Sequence, residues 1–156
     1  MNSSVENIFI FPYEKALQAA DISELSSRIS TLLSSWNAHG NQLSSEIKWE
    51  ENQFLIISEP EGLASGCSKD KLNRGLMDIN SSLGLFFAPA GKFFVRKEQE
   101  MLMLNRKELS TKFISKEISG DNLLYPCWLS TQDDLEKLWG KPLKKFPSIL
   151  PKTHLV

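Results

Sequence analysis

The chain has 156 residues, 41% of them hydrophobic and 24% charged, and a net charge of -1. Length and apolar content suit one domain with a core of its own and exclude a wholly disordered or wholly basic polymer. Two cysteines and two histidines are too few, at their spacing, for a closed Cys/His zinc centre, so neither a metal nor a cofactor is expected.

In chain order, residues 7–11 (Asn-Ile-Phe-Ile-Phe) are β-branched and aromatic and are closed by Pro12, which predicts a buried strand. Ile22, Leu25, Ile29, Leu32, Leu33 and Trp36 then share one stripe of a helix. Asp21 is positioned to cap its first turn, with Glu24 in the capping-box position, and Gly40 after His39 to end it. Residues 46–50 alternate polar and apolar, Glu51 and Asn52 offer a turn, and 53–58 are nearly all apolar. That pattern predicts a hairpin with an outer strand and a buried inner one. Beyond a loop at 59–66, Leu72, Leu76, Ile79 and Leu83 mark a second amphipathic helix stopped by Gly84. Strands follow at 92–95 and 101–104, and Asn105 with Glu108 opens a third helix. Residues 123–129 read as a strand interrupted by Pro126, hence an edge or a bulge. Ser130 or Thr131 caps a last short helix with Leu135, Leu138 and Trp139 inward, ended by Gly140 and Pro142.

The first six elements run β-α-β-β-α-β, the split-βαβ order of ferredoxin-like sandwiches. The expected class is α+β: a mainly antiparallel sheet with helices on one face, extended by a C-terminal strand and short helices, with 1–156 as a single domain. No run of about 18 apolar residues exists to span a membrane, and residues 1–6 lack a basic leader. A cytoplasmic protein with two reduced thiols is expected, with no membrane partner. Residues 1–78 carry 6 Lys/Arg against 11 Asp/Glu, and residues 79–156 carry 12 against 8. The last stretch holds Lys141, Lys144, Lys145 and Lys152 without an acid, but only Phe146 is interleaved with them. It reads as solvated surface, and no nucleic-acid partner is expected.

The split-βαβ order makes a spatial statement. The loop after the first helix (Trp36-Asn-Ala-His-Gly) and the loop before the second (Ala64-Ser-Gly-Cys-Ser-Lys-Asp) fall at the same end of the sheet, so His39 and Cys67 share one edge. A helix start offers unpaired N–H groups and the positive end of the helix dipole, which hold anions and lower the pKa of a thiol. Cys67 is therefore the candidate nucleophile and His39 its candidate base. Asn37, Ser65, Gly66, Ser68 and Asp70 are the candidate ligand-binding residues. The bland alternative makes Ser68 a simple N-cap, Cys67 a small buried hydrophobe and His39 a helix cap. Cys127, between Pro126 and Trp128, reads as core, and His154 as a tail residue with no role. Glu50, Glu51, Glu59 and Glu61 flank the hairpin and read as exposed edge charges. Trp36, Trp49, Trp128 and Trp139 read as core. A Walker A loop fails, because six residues separate Gly84 from Gly91-Lys92 and Phe93 stands where the hydroxyl is needed.

Trp36, Ala38, His39 and Gly40, together with Ser65, Gly66, Cys67, Ser68 and Asp70, also carry a family resemblance. The chain resembles, over most of 7–146, a small bacterial family of about this length, found mainly in Bacteroidetes, whose members often bear the name "ABC transporter ATPase". Members usually have an aliphatic residue where Lys69 stands, and more polar, acidic residues around 87–89. The resemblance implies no particular activity, and the name disagrees with the missing Walker A loop and Leu-Ser-Gly-Gly-Gln signature. It points to the same two loops.

The leading expectation is a cytoplasmic domain that binds a small polar or anionic ligand at the 65–70 loop. The alternatives are a thiol enzyme using Cys67 and His39, and a protein-interaction module working through a sheet edge or the Lys-rich tail, for which a homodimer is one assembly. The enzyme reading needs Cys67 exposed and His39 in hydrogen-bond reach. The ligand reading needs a pocket at the second helix's start, and the interaction reading an exposed apolar patch.

Overall fold

The computed structural model describes residues 6–152; His154 lies outside them. The fold is α+β, with α-helices and antiparallel sheets. The chain divides into two compact units, Met1–Ala88 with Leu129–Asp133, and Pro89–Trp128 with Asp134–Val156. Among the described residues no helix is long and apolar enough to cross a membrane.

The first unit is built on β1 (Asn7–Pro12), α1 (Ala19–Ser34), β2 (Asn37–Ala38), β3 (Asn41–Gln42), β4 (Glu46–Glu50), β5 (Phe54–Glu59) and α2 (Gly66–Ser82). Its main sheet has the order β1-β5-β4, antiparallel throughout, with Phe9 opposite Ile57 and Ile47 opposite Ile57. The central strand earns its place by composition: Phe54, Leu55, Ile56 and Ile57 are all buried, as a strand covered on both faces requires. Leu55 and Ile57 share one face and pack with Leu25, Ile29 and Leu33 of α1 and Leu72 and Leu76 of α2. Gly75 lets the two helices close, since a Cβ there would sit 2.7 Å from the Leu32 side chain.

Three expectations change in this unit. First, α1 starts earlier than Asp21, after Gln18, which makes no side-chain cap; Asp21 lies in the first turn, where its charge favours the helix dipole. Second, α1 ends at Ser34 and not at Gly40. The Ser34 and Ser35 hydroxyls donate to the Thr31 and Leu32 carbonyls and compete with the helix ladder. His39 and Gly40, both at positive φ, instead form the two-residue turn of the β2–β3 hairpin, where left-handed backbone matches the strand twist. Third, the strand that closes the β-α-β-β-α-β order, at 93–97, is not part of this sheet. The flank of β1 carries isolated bridges at Asn7–Thr131 and Tyr13–Phe87 in its stead.

The second unit holds β6 (Phe93–Lys97), β7 (Glu100–Leu104), α3 (Arg106–Ile114), β8 (Leu123–Leu124) and β9 (Lys141–Pro142). Its sheet order is β7-β6-β8-β9, all antiparallel. β6 and β7 are joined by a two-residue turn at Glu98 and Gln99. That short closure gives β6 its nearest available partner in the chain. The Asn105–Glu108 capping box opens α3 as expected. The strand expected over 123–129 stops at Leu124 and lies inside the sheet, not at its edge, because Pro126 has no N–H to continue the ladder. Val95, Leu104, Leu109, Leu124 and Leu143 form this unit's core. α4 (Gln132–Leu138) buries Leu135 as its pattern requires. Trp128, expected in the core, is 52% exposed, its ring edge-on to Phe93 and Phe146. Of the tail lysines, Lys144 pairs at the surface with Asp121.

Candidate functional site

The two loops named from the sequence do meet. Trp36, buried directly after α1, donates its indole N–H to the Ser68 carbonyl at 2.7 Å, so the segment carrying β2 is tied to the first turn of α2. Ser65 is the N-cap and Ser68 the third helical residue of a capping box. The Ser68 amide donates to the Ser65 hydroxyl at 3.2 Å, and the Ser65 amide donates to the Ser68 hydroxyl at 2.6 Å. Both serines expected to hold a ligand therefore spend their hydroxyls on the helix start. Asn37 turns its amide back to the Ser35 carbonyl at 3.2 Å.

Gly66 and Cys67 remain outside the capping box, and both are exposed, as are Asp70 and His39. The open space beside Gly66 would accept a Cβ without contact. Cys67 is thus a surface thiol, contrary to the bland expectation of a buried one. Among the described residues no hydrogen bond joins it to His39, which is exposed in the β2–β3 turn. Lys69, in the same turn of α2, lies over the Phe9 ring at 5.7 Å. Cys127 differs in kind: it is partly buried, and desolvation pushes its thiol up to about 12. No group of three or more His, Cys, Asp or Glu able to hold a metal occurs among the described residues.

Beneath the loop lies a residue the sequence misplaced. Glu59 was expected at an exposed edge but is fully buried at the end of β5. Side chains alternate along a strand, so Glu59 shares the helix-facing side with Leu55 and Ile57. Its Oε1 accepts from the Asn7 side-chain amide at 3.0 Å and from the Ala64 amide at 2.7 Å. Its Oε2 has no hydrogen-bond partner among the described residues. The carboxylate closes the 59–64 loop and so sets where α2 begins. Glu51 and Glu61 are exposed as expected, and Glu61 accepts from the Ser44 hydroxyl.

Two hollows in the first unit lie away from this turn. An open polar groove of about 750 Å³ runs along α1 from Ser30 to Ser34 and the 42–47 segment. A smaller one, about 140 Å³ and mainly apolar, is lined by Tyr13, Leu17, Gly84, Leu85 and Phe86, with Glu14 and Lys15 at its rim. The Tyr13 phenol donates to Asn80 at 2.7 Å, and burial pushes its pKa up to about 12. Phe86, one of its walls, is 74% exposed. The signal for this second hollow in the sequence is slight: a Phe86-Phe87 pair outside any periodic element.

No family model, curated protein or solved structure matches the chain.

Proposed function

We propose that this chain is a protein-interaction module whose first unit docks an apolar ring of a partner protein in the Tyr13–Leu17–Leu85 hollow. The observation that carries the reading is the hollow itself, about 140 Å³ of mainly apolar space walled in part by a largely exposed phenylalanine. The hollow is half open to solvent, and its volume is on the scale of a single aromatic ring. Burying such a side chain favours association by roughly 1.5–3 kcal/mol, and the charged rim of Glu14 and Lys15 gives a partner polar contacts around that anchor. In a sample with labelled leucine methyls, toluene is expected to shift Leu17 and Leu85 saturably, with a Kd on the order of 1 mM. Leu85→Trp, which fills the space, should abolish the effect. Methyls that do not respond would sink the reading.

A second reading has its own support at the first turn of α2, where the exposed Gly66 and Cys67 amides lie outside the capping box at the positive end of the helix. A small anion held there would lie against the Cys67 thiol. Iodoacetamide is expected to modify Cys67 in the folded protein and Cys127 only after unfolding, and millimolar phosphate to slow the Cys67 reaction several-fold. Equal rates with and without phosphate would leave Cys67 a plain surface thiol. Two free cysteines suit the reducing cytoplasm in which either activity would operate.

A further inference from the structure

The hollow and the ring beside it have a shared structural origin. The Tyr13–Phe87 bridge and the hydrogen bond from the Ala88 amide to the Pro12 carbonyl, 2.8 Å, hold the segment after α2 extended along β1. Consecutive side chains on extended backbone point to opposite sides. Phe87 turns inward, stacked on Phe11 at 5.4 Å and tilted against Tyr13 at 4.9 Å. Phe86 is thereby forced outward and stands 74% exposed. At the base of the segment, the Leu83 and Leu85 amides both donate to the Asn80 carbonyl, so Phe86 projects from fixed backbone. An anchor presented this way loses little conformational freedom on docking.

The same surface therefore bears an exposed aromatic ring and a half-open, ring-sized hollow that this ring helps to line. Such a patch is complementary to itself, which is the condition for an isologous two-fold interface. We propose that the partner is a second copy of this chain, with the Phe86 ring of each copy seated in the Tyr13–Leu17–Leu85 hollow of the other. This rests on the docking reading above and names its partner. The rim supports the same occupant. Glu14 and Lys15 are adjacent, exposed, opposite in charge and without an ion pair among the described residues. A two-fold axis passing between the two residues would set Glu14 of one copy against Lys15 of the partner subunit, and the reverse. The net charge of -1 sets up little repulsion between copies.

The test is sedimentation equilibrium of the full chain from about 5 µM to about 500 µM, bracketing the dissociation constant of a small interface built on one anchor. A monomer–dimer equilibrium is expected, weakened at least tenfold by Phe86→Ala, a surface change that leaves the core untouched. Glu14→Lys and Lys15→Glu should each weaken the dimer, and the double exchange should restore it to within about threefold, because the cross-pairs re-form. A chain that stays monomeric over the whole range overturns the inference, as does a dimer indifferent to Phe86→Ala. If toluene still saturates the Leu17 and Leu85 methyls of such a monomer, the hollow serves a different protein and only the second copy is refuted. If toluene fails as well, the docking reading falls with it.

Discussion

Trp36→Ala is expected to destabilise the first unit by ~4 kcal/mol, within the usual range for emptying a buried indole site. The side chain is 3% exposed, meets Phe9 edge-on at 6.0 Å, and belongs to the cluster that joins α1, α2 and the sheet. Its indole N–H also holds the Ser68 carbonyl at 2.7 Å. Trp36→Phe separates the two contributions: the ring is largely kept and the hydrogen bond lost, at about 1–2 kcal/mol. Urea unfolding followed by circular dichroism, with unchanged m-values, gives both numbers. A site that tolerates alanine with a loss below about 1 kcal/mol would show the surrounding residues collapsing into the space and would refute the assignment of Trp36 as the tie between the two loops. Native hydrogen exchange adds a local reading. In Trp36→Phe the amides of 68–70 should exchange faster than those of 76–80, because the loss of the indole bond releases the start of α2 and not its end.

Much of this architecture is written in short-range patterns. The spacing of Leu25, Ile29 and Leu33 and of Leu72 and Leu76 locates the buried faces of α1 and α2, and those faces are the core. Glu51 and Asn52 announce a turn, and both take positive φ there. The meeting of the Trp36 loop with the start of α2 follows from element order alone, because each helix must return the chain across the sheet. What periodicity does not encode is partner choice. Phe93 to Val95 looks like a strand in any context, but its pairing depends on β7 lying two residues away across a turn, not on its place in a count of strands. The end of α1 depends on serine hydroxyls turning onto the backbone, which competes with helix by only a small margin. At the candidate site, the serines announce themselves as polar residues near a helix start. That they bond each other depends on the backbone geometry of the folded helix start. Phe86 and Phe87 are chemically identical, and the bridge to Tyr13 with the Ala88–Pro12 hydrogen bond decides which packs inward and which is surface.

Glu59 shows the same limit and carries the other large effect. An acid between Ser58 and Pro60 at a strand end resembles an edge charge, but Asn7 opposite and Ala64 ahead both donate to it, and it is buried completely. Glu59→Ala is expected to cost ~3–4 kcal/mol, since it leaves a side-chain amide and a backbone N–H without their acceptor and opens a void beneath the loop. Glu59→Gln should lie within about 1 kcal/mol of the parent, because one oxygen keeps both bonds and the amide takes the place of Oε2, which has no hydrogen-bond partner among the described residues. Chemical denaturation of the three proteins at neutral pH gives the order directly. A glutamine variant as unstable as the alanine one would refute this account, since Glu59 would then be needed for more than the two hydrogen bonds it accepts from Asn7 and Ala64.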